Sequence, residues 1–450
     1  MSKNDYVIEK KKNPFFTIVK IAIIITILIS MIGLENSVNT NNLCFANIIG
    51  LDKSENNPSN LLVTFQIITP KMESSNSVST DKTLVTSIDE NSIDIAVSTL
   101  QDYISSNIEF SNSNAIIISE DLAKDGVQRY ISTISSNLEF NNNMYILICE
   151  GKAQDFIETL DKNNSINPTS YFDILKNAEE KSSSVKFVNL TEFSNLLFTS
   201  KATPYAPICK INTENKETSN ENQNNEDNKD ENEQKSETSA SKKSSNTVDN
   251  TSSNDQNLIK QKSDINIEIG GTAIFKDEKL VGKLSSDETA FHIMLTSILK
   301  SYTTTLDVNE SEDNAINNQT SSSNVNITQT GKAKIKVDTN GSRPRIDVKI
   351  PLNIVVLDTP AGEYDYLNSN YISSVKKKVT EVLDKKMENY INKIQKEYNT
   401  DLAEFYKYSR KNFLTAKEYN EYNFKEKFKD AKIDVKFDIT FNDAGLNLEK

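Results

Sequence analysis

The residues that could do chemistry are few. The chain of 450 residues has one histidine, His292, three cysteines, Cys44, Cys149 and Cys209, and no tryptophan. His292 lies in Phe291-His292-Ile293-Met294 on a predicted helix. There it reads as a structural residue, because acid–base work also needs a positioned partner. A lone histidine leaves little from which to build a His-based zinc site or a Ser-His-Asp triad. No CxxC occurs. Cys149, in the apolar stretch Met144–Glu150, reads as a small core residue, and a Cys149–Cys209 bridge is the alternative. GxGxxG and GxxxxGK[ST] are both absent. Glu226–Glu233 is acidic but lacks the glycine and spacing of a calcium loop. Paired carboxylates could serve a glycosidase, yet no pair stands out. We therefore expect no enzyme, with no catalytic, cofactor-binding or metal-ligating residues.

Charge narrows the partners. The formal net charge is −13 and the pI about 4.9. Nucleic-acid binding needs a basic surface, so no nucleic-acid partner is expected. The prevalence of Asn, Ser, Lys, Glu and Ile suits a low-GC bacterial genome.

Lys10, Lys11 and Lys12 precede an apolar run, Phe15–Leu34, interrupted by Lys20. About 20 apolar residues span a bilayer as a helix, and flanking lysines keep their end in the cytoplasm. Residues 1–34 are thus expected to form a membrane anchor, which places the rest outside. The competing reading is a signal peptide, with Cys44-Phe45-Ala46 as an A-x-A-like cleavage site.

Two lobes follow, 47–210 and 263–450, separated by a polar linker, 211–262. Within it Asn212–Thr247 holds no apolar residue larger than Ala240, so it cannot offset its ordering entropy and should be disordered. Asn309–Ser323 is a shorter tract of the same kind. In the first lobe Leu61–Thr69, Ala115–Ile118 and Met144–Cys149 read as strands, and Ser92–Asn107, Glu120–Ser136 and Ala153–Leu160 as helices. That alternation predicts an α/β layer. In the second lobe Ile267–Phe275 and Lys279–Leu284 read as a hairpin turning at Asp277-Glu278, and Ser285–Lys300 as a helix. Alternation from Ala333 to Val337 and from Ile346 to Val356 flanks an Asn340-Gly341 turn. A long helix runs from Val375 to Phe405. Ile433, Val435, Phe437, Ile439 and Phe441 alternate in a last strand with one buried face. The fold class is therefore multi-domain α+β / α/β: an N-terminal α/β lobe and a C-terminal antiparallel sheet packed by a long helix.

The order of four stretches resembles the C subunits of spore germinant receptors, the GerAC/GerKC (Ger(x)C) family. They are Ile48–Lys53 with Val63–Pro70; Ile116–Gly126 with Glu150-Gly151-Lys152-Ala153; Gly271–Phe275 with Leu280–Leu284; and Gln395–Asp401 with Lys425–Phe428, the last strand and Gly445-Leu446. Leu34 stands where the family's lipidated cysteine would be, and Cys44 does not follow a lipobox, so a retained apolar helix would replace the lipid. Ser136-Asn137 stands in place of an Arg-Asp pair. The resemblance implies a non-enzymatic subunit that needs no cofactor. It would sit at the outer, extracytoplasmic face of the inner spore membrane of a Gram-positive bacterium, beside integral membrane A and B subunits, and help trigger germination. An extracytoplasmic solute-binding protein and a membrane-tethered cell-wall hydrolase are the alternatives. The first needs an interlobe cleft and the second a close carboxylate pair in a cleft.

Overall fold

The computed structural model describes residues 18–26, 43–69, 82–104, 106–162, 171–172, 183–199, 201–212, 267–307, 322–357 and 369–441. Most of the expected anchor, the linker tract beyond Asn212, nearly all of Asn309–Ser323 and Gly445-Leu446 lie outside the described residues. The chain divides into two units, Met1–Leu43 and Cys44–Lys450. In the first, residues 18–26 form a helix with every position exposed. No described helix is long and apolar enough to cross a membrane.

The second unit contains two sheets. The larger is built from β1 (Leu43–Lys53), β2 (Leu61–Thr69), β3 (Lys82–Glu90), β4 (Asn107–Glu109), β5 (Ala115–Ser119), β6 (Tyr145–Glu150), β7 (Tyr205–Ile211), β8 (Ile267–Lys276) and β9 (Lys279–Leu284). The order is β3-β2-β1-β5-β6-β7-β8-β9, with β4 beside β1. β1, β5, β6 and β7 run parallel. A parallel sheet is covered on both faces, so its strands are apolar throughout; Ala115, Ile116, Ile117 and Ile118 are all fully buried.

Four sequence boundaries are corrected; the helix expected over Ser285–Lys300 ends at Thr296, where Ser297 leaves helical backbone. The first helix stops at Tyr103 rather than Asn107, because Ile104 turns extended and the Ser and Asn residues that follow favour non-helical backbone. Glu120–Ser136 is two helices, Glu120–Asp125 and Gln128–Ser136. Gly126 breaks it at φ +129°, and the Val127 N–H goes to the Glu278 carbonyl (3.0 Å). The long helix covers Ser369–Asn392, a π turn follows over Lys393–Glu397, and Leu402 and Phe405 lie beyond it. There Asp401 accepts from the N–H groups of Phe405 (3.0 Å) and Tyr406 (2.7 Å) and starts a separate helix, Phe405–Ser409.

The smaller sheet holds β10 (Tyr302–Asp307), β11 (Ser322–Gln329), β12 (Lys334–Asp338), β13 (Arg345–Val356) and β14 (Lys432–Phe441). β11 and β12 pair with successive halves of β13. The interruption falls opposite Pro351, which has no N–H to donate; its carbonyl accepts from Thr330 instead (3.1 Å). The sheet is antiparallel except at β14, which runs parallel to β13 across ten positions. Parallel neighbours need a crossover, and Ser369–Asn392 supplies it, burying Val375, Val379, Leu383, Met387 and Tyr390. The alternation of β14 is as the sequence predicts, but its apolar face is incompletely buried. Ile433, Val435, Phe437 and Phe441 are half-exposed and Ile439 alone is buried, because β14 is an edge.

Candidate functional site at the junction of the lobes

The hairpin β8–β9, which the sequence assigns to the second lobe, continues the first lobe's sheet. β8 pairs antiparallel with β7 from Tyr205↔Ile274 to Ile211↔Ile267. Backbone hydrogen bonds therefore cross from one lobe to the other. Beyond the hairpin, Ser286–Thr296 is capped by a reciprocal Ser285–Glu288 box and is buried from Thr289 through Leu295, as a helix wedged within the core.

At the carboxyl ends of β5 and β6 stand Glu120 and Glu150, and both grip Lys283 on β9. The Lys283 Nζ is 2.7 Å from Glu120 and 2.8 Å from Glu150. Burial alone would raise the Glu120 carboxyl, but hydrogen bonds from Lys124 and Lys283 hold it below the usual range. Burial alone would lower Lys283, and the two glutamates carry it above its ordinary value. Sequence separations of 163 and 133 residues hide this trio from any spacing argument.

Tyr398, at the end of the long helical segment, lies flat against Gly282. A Cβ there would sit 2.2 Å from the ring. The Tyr398 hydroxyl donates to the Lys283 carbonyl (3.3 Å) and is 3.4 Å from the Lys283 N–H. Lys425 reaches Asp277 at the hairpin turn (2.7 Å), and Lys393 reaches Glu288 (2.7 Å). Asp52, at the end of β1, accepts from the N–H groups of Ala153 (2.8 Å) and Gln154 (2.9 Å), capping the helix Ala153–Lys162. Burial raises its carboxyl against the pull of those bonds. Gln395 donates to the Phe428 and Ala431 carbonyls (2.8 and 2.7 Å). Parts of the stretches 48–53, 116–126, 150–153 and 280–284 thus meet here, with Tyr398 of 395–401 beside them, whereas the last strand lies in the smaller sheet.

His292 is buried there, edge-on to Tyr205 (4.7 Å between centroids), with Nδ1 3.5 Å from the Tyr390 hydroxyl. Burial and the Lys186 charge hold it well below the ordinary histidine range, so it is neutral. Cys149 and Cys209 are free thiols, buried and in register on β6 and β7. Among the described residues no group of three or more His, Cys, Asp or Glu side chains could hold a metal.

A cleft of about 680 Å³ opens between the long helix and β14, with Gln395 and Ala431 among its lining residues. Asp384, Met387, Glu388, Ile391, Ile433 and Asp434 are among its lining residues, together with Arg343, Lys396, Lys429 and Lys432. Burial and the Asp434 charge push Asp384 up.

Residues 36–211 match the spore germination protein N-terminal domain, and residues 270–445 match the spore germination B3/GerAC-like C-terminal domain. The chain belongs to the spore germination GerAC family. The two matched regions meet where β7 pairs with β8. The fold is similar to that in the crystal structure of the GerBC protein, at 13% identity and a TM-score of 0.47, over 88% of this chain and 96% of that one. No curated protein matches.

Proposed function

We propose that this GerAC-family chain is a non-enzymatic C subunit of a spore germinant receptor. It is held at the outer face of the inner spore membrane by Phe15–Leu34 and assembles with integral membrane A and B subunits. Its task is to help convert nutrient binding into release of ions and calcium–dipicolinate. The observation that carries this reading is the paired family match, in order, over both lobes. The meeting of family-like stretches at a structural junction supports it: Lys283 ties the second lobe to Glu120 and Glu150 of the first, and Tyr398 packs on Gly282 beside it. Isolating a tagged chain from detergent-solubilised spore membranes tests the assembly. Two integral membrane proteins should co-purify in comparable amounts; recovery of the chain alone would count against it.

A solute-binding protein needs a hinge between lobes, and the β7–β8 ladder spans that place. The hydrolase reading draws on one observation, the proximity of Asp384 and Asp434 in a cleft. Four cations and four carboxylates, Asp384, Glu388, Asp430 and Asp434, line the same cleft, and changing both aspartates separates the two readings. Asp384→Asn with Asp434→Asn should leave germination intact on the receptor reading and abolish it on the other.

A further inference from the structure

The second sheet ends abruptly at β14. On its neighbour β13 the inward residues Ile346, Val348, Ile350, Leu352 and Ile354 are buried to 1% exposure or less. On β14, Ile433, Val435, Phe437 and Phe441 remain half-exposed. β14 pairs with β13 over ten positions without a bulge and itself contains no proline, and among the described residues nothing pairs with its other side. A long edge of this kind, with one side unpaired, is a template for another strand. The long helix overhangs it and leaves the 680 Å³ cleft, with Met387, Ile391, Ile433 and Val435 in its lining, where a further strand's side chains would point.

The charges of β14 are mismatched towards β13. In the parallel register Lys432 lies opposite Arg345, Asp434 opposite Asp347 and Lys436 opposite Lys349. Like charges across a ladder are unfavourable. The wet row of β14 reads Lys432, Asp434, Lys436, Asp438. Laid antiparallel against itself about Val435, that row becomes complementary at every position. Lys432 faces Asp438, Asp434 faces Lys436, Ile433 faces Phe437, and Val435 faces its own counterpart. A two-residue slip either way sets Lys436 on Lys436 or Asp434 on Asp434. A one-residue slip turns the apolar face outward, and parallel pairing in register sets every charge on its like.

We propose that β14 is the interface of a two-fold homodimer, in which a second copy adds its own β14 antiparallel about Val435 and joins the two small sheets into one. Phe437 of the second copy then sits opposite Ile433, over the cleft beside Met387 and Ile391, and a second lysine joins Lys436 of the same strand (3.9 Å) at Asp434, which crowds Asp384. The inference is independent of the receptor reading.

The test uses the full chain in mild detergent. Val435→Cys should be linked to itself by a short bismaleimide, giving a band of twice the chain mass, while the parent with its three buried cysteines stays monomeric. Adding Lys436→Asp turns two attractive pairs repulsive and should lower the yield about tenfold. Adding Asp434→Lys as well restores complementarity in this register and should recover the yield. Lys432→Asp, alone and with Asp438→Lys, repeats the comparison on the outer pairs. All four positions are on the wet face, and exchange at 432, 434 or 436 also relieves a like pair with β13, so the melting temperature of the monomer should hold or rise slightly. A Val435→Cys chain that remains monomeric or links to a different protein overturns the proposal. So do equal yields for Lys436→Asp and the double exchange.

Discussion

A methyl group at Gly282 would meet the Tyr398 ring at 2.2 Å, so this position admits no side chain while the tyrosine is in place. Gly282→Ala should cost about 1–3 kcal/mol by overpacking. Much of that should disappear in a Tyr398→Ala background, a non-additivity of about 1 kcal/mol or more between touching residues. Denaturant unfolding of the four chains measures it; additive costs would mean that the contact is not tight. Asp401 has a different signature. Burial raises its carboxyl to about 7, against the two backbone N–H groups it accepts. A carboxyl raised in the folded state contributes stability that is fully present below its unfolded value, and that is lost as pH rises through about 7. The melting temperature should therefore fall between about pH 5 and about pH 8, and Asp401→Asn should flatten that part of the curve at the cost of one acceptor. An unchanged slope in the variant would assign the titration elsewhere.

Among the elements, β13 and β14 carry the same alternating pattern and differ in burial. Ile350, fully buried on β13, should cost about 2–5 kcal/mol as Ile350→Ala. Phe437, half-exposed on the edge, should cost about 1–2 kcal/mol as Phe437→Ala, well short of a core phenylalanine. Thermal unfolding of the dilute, monomeric chain compares them, and equal costs there would show that β14 is covered by its own chain. Period-two alternation reveals that Phe437 faces inward, but not whether anything lies beyond it. That limit recurs. β2 spans Leu61–Thr69 as its apolar run indicates, and the capping box at Ser285 marks the start of its helix. Elements without strong apolar patterning, such as β3 with Thr83, Thr86 and Ser87, or β10 with its three threonines, are set by the strands they pair with. Likewise the hairpin β8–β9 is legible as a hairpin, but its membership of the first sheet depends on β7, far away in sequence. The junction was half legible. Its residues lie in the stretches singled out, but the contacts of Lys283 with Glu120 and Glu150 exist only in three dimensions.

At the scale of the molecule, one continuous sheet carries the first matched family region and the opening hairpin of the second, and the β7–β8 ladder and the Lys283 trio fasten the two regions. On the proposed reading the chain works by assembly and requires no reacting group. The chain's sole histidine is buried and neutral, and the carboxylates of the cleft share it with four cations. The most direct measurement is nutrient-triggered calcium–dipicolinate release from spores lacking this gene, and from spores restored with either the wild-type chain or the Asp384→Asn, Asp434→Asn chain. The account predicts that deletion removes the response to at least one nutrient and that both restored chains return it fully. Deletion spores that respond like wild type to every nutrient, or failure of the carboxylate variant alone to restore release, would contradict it.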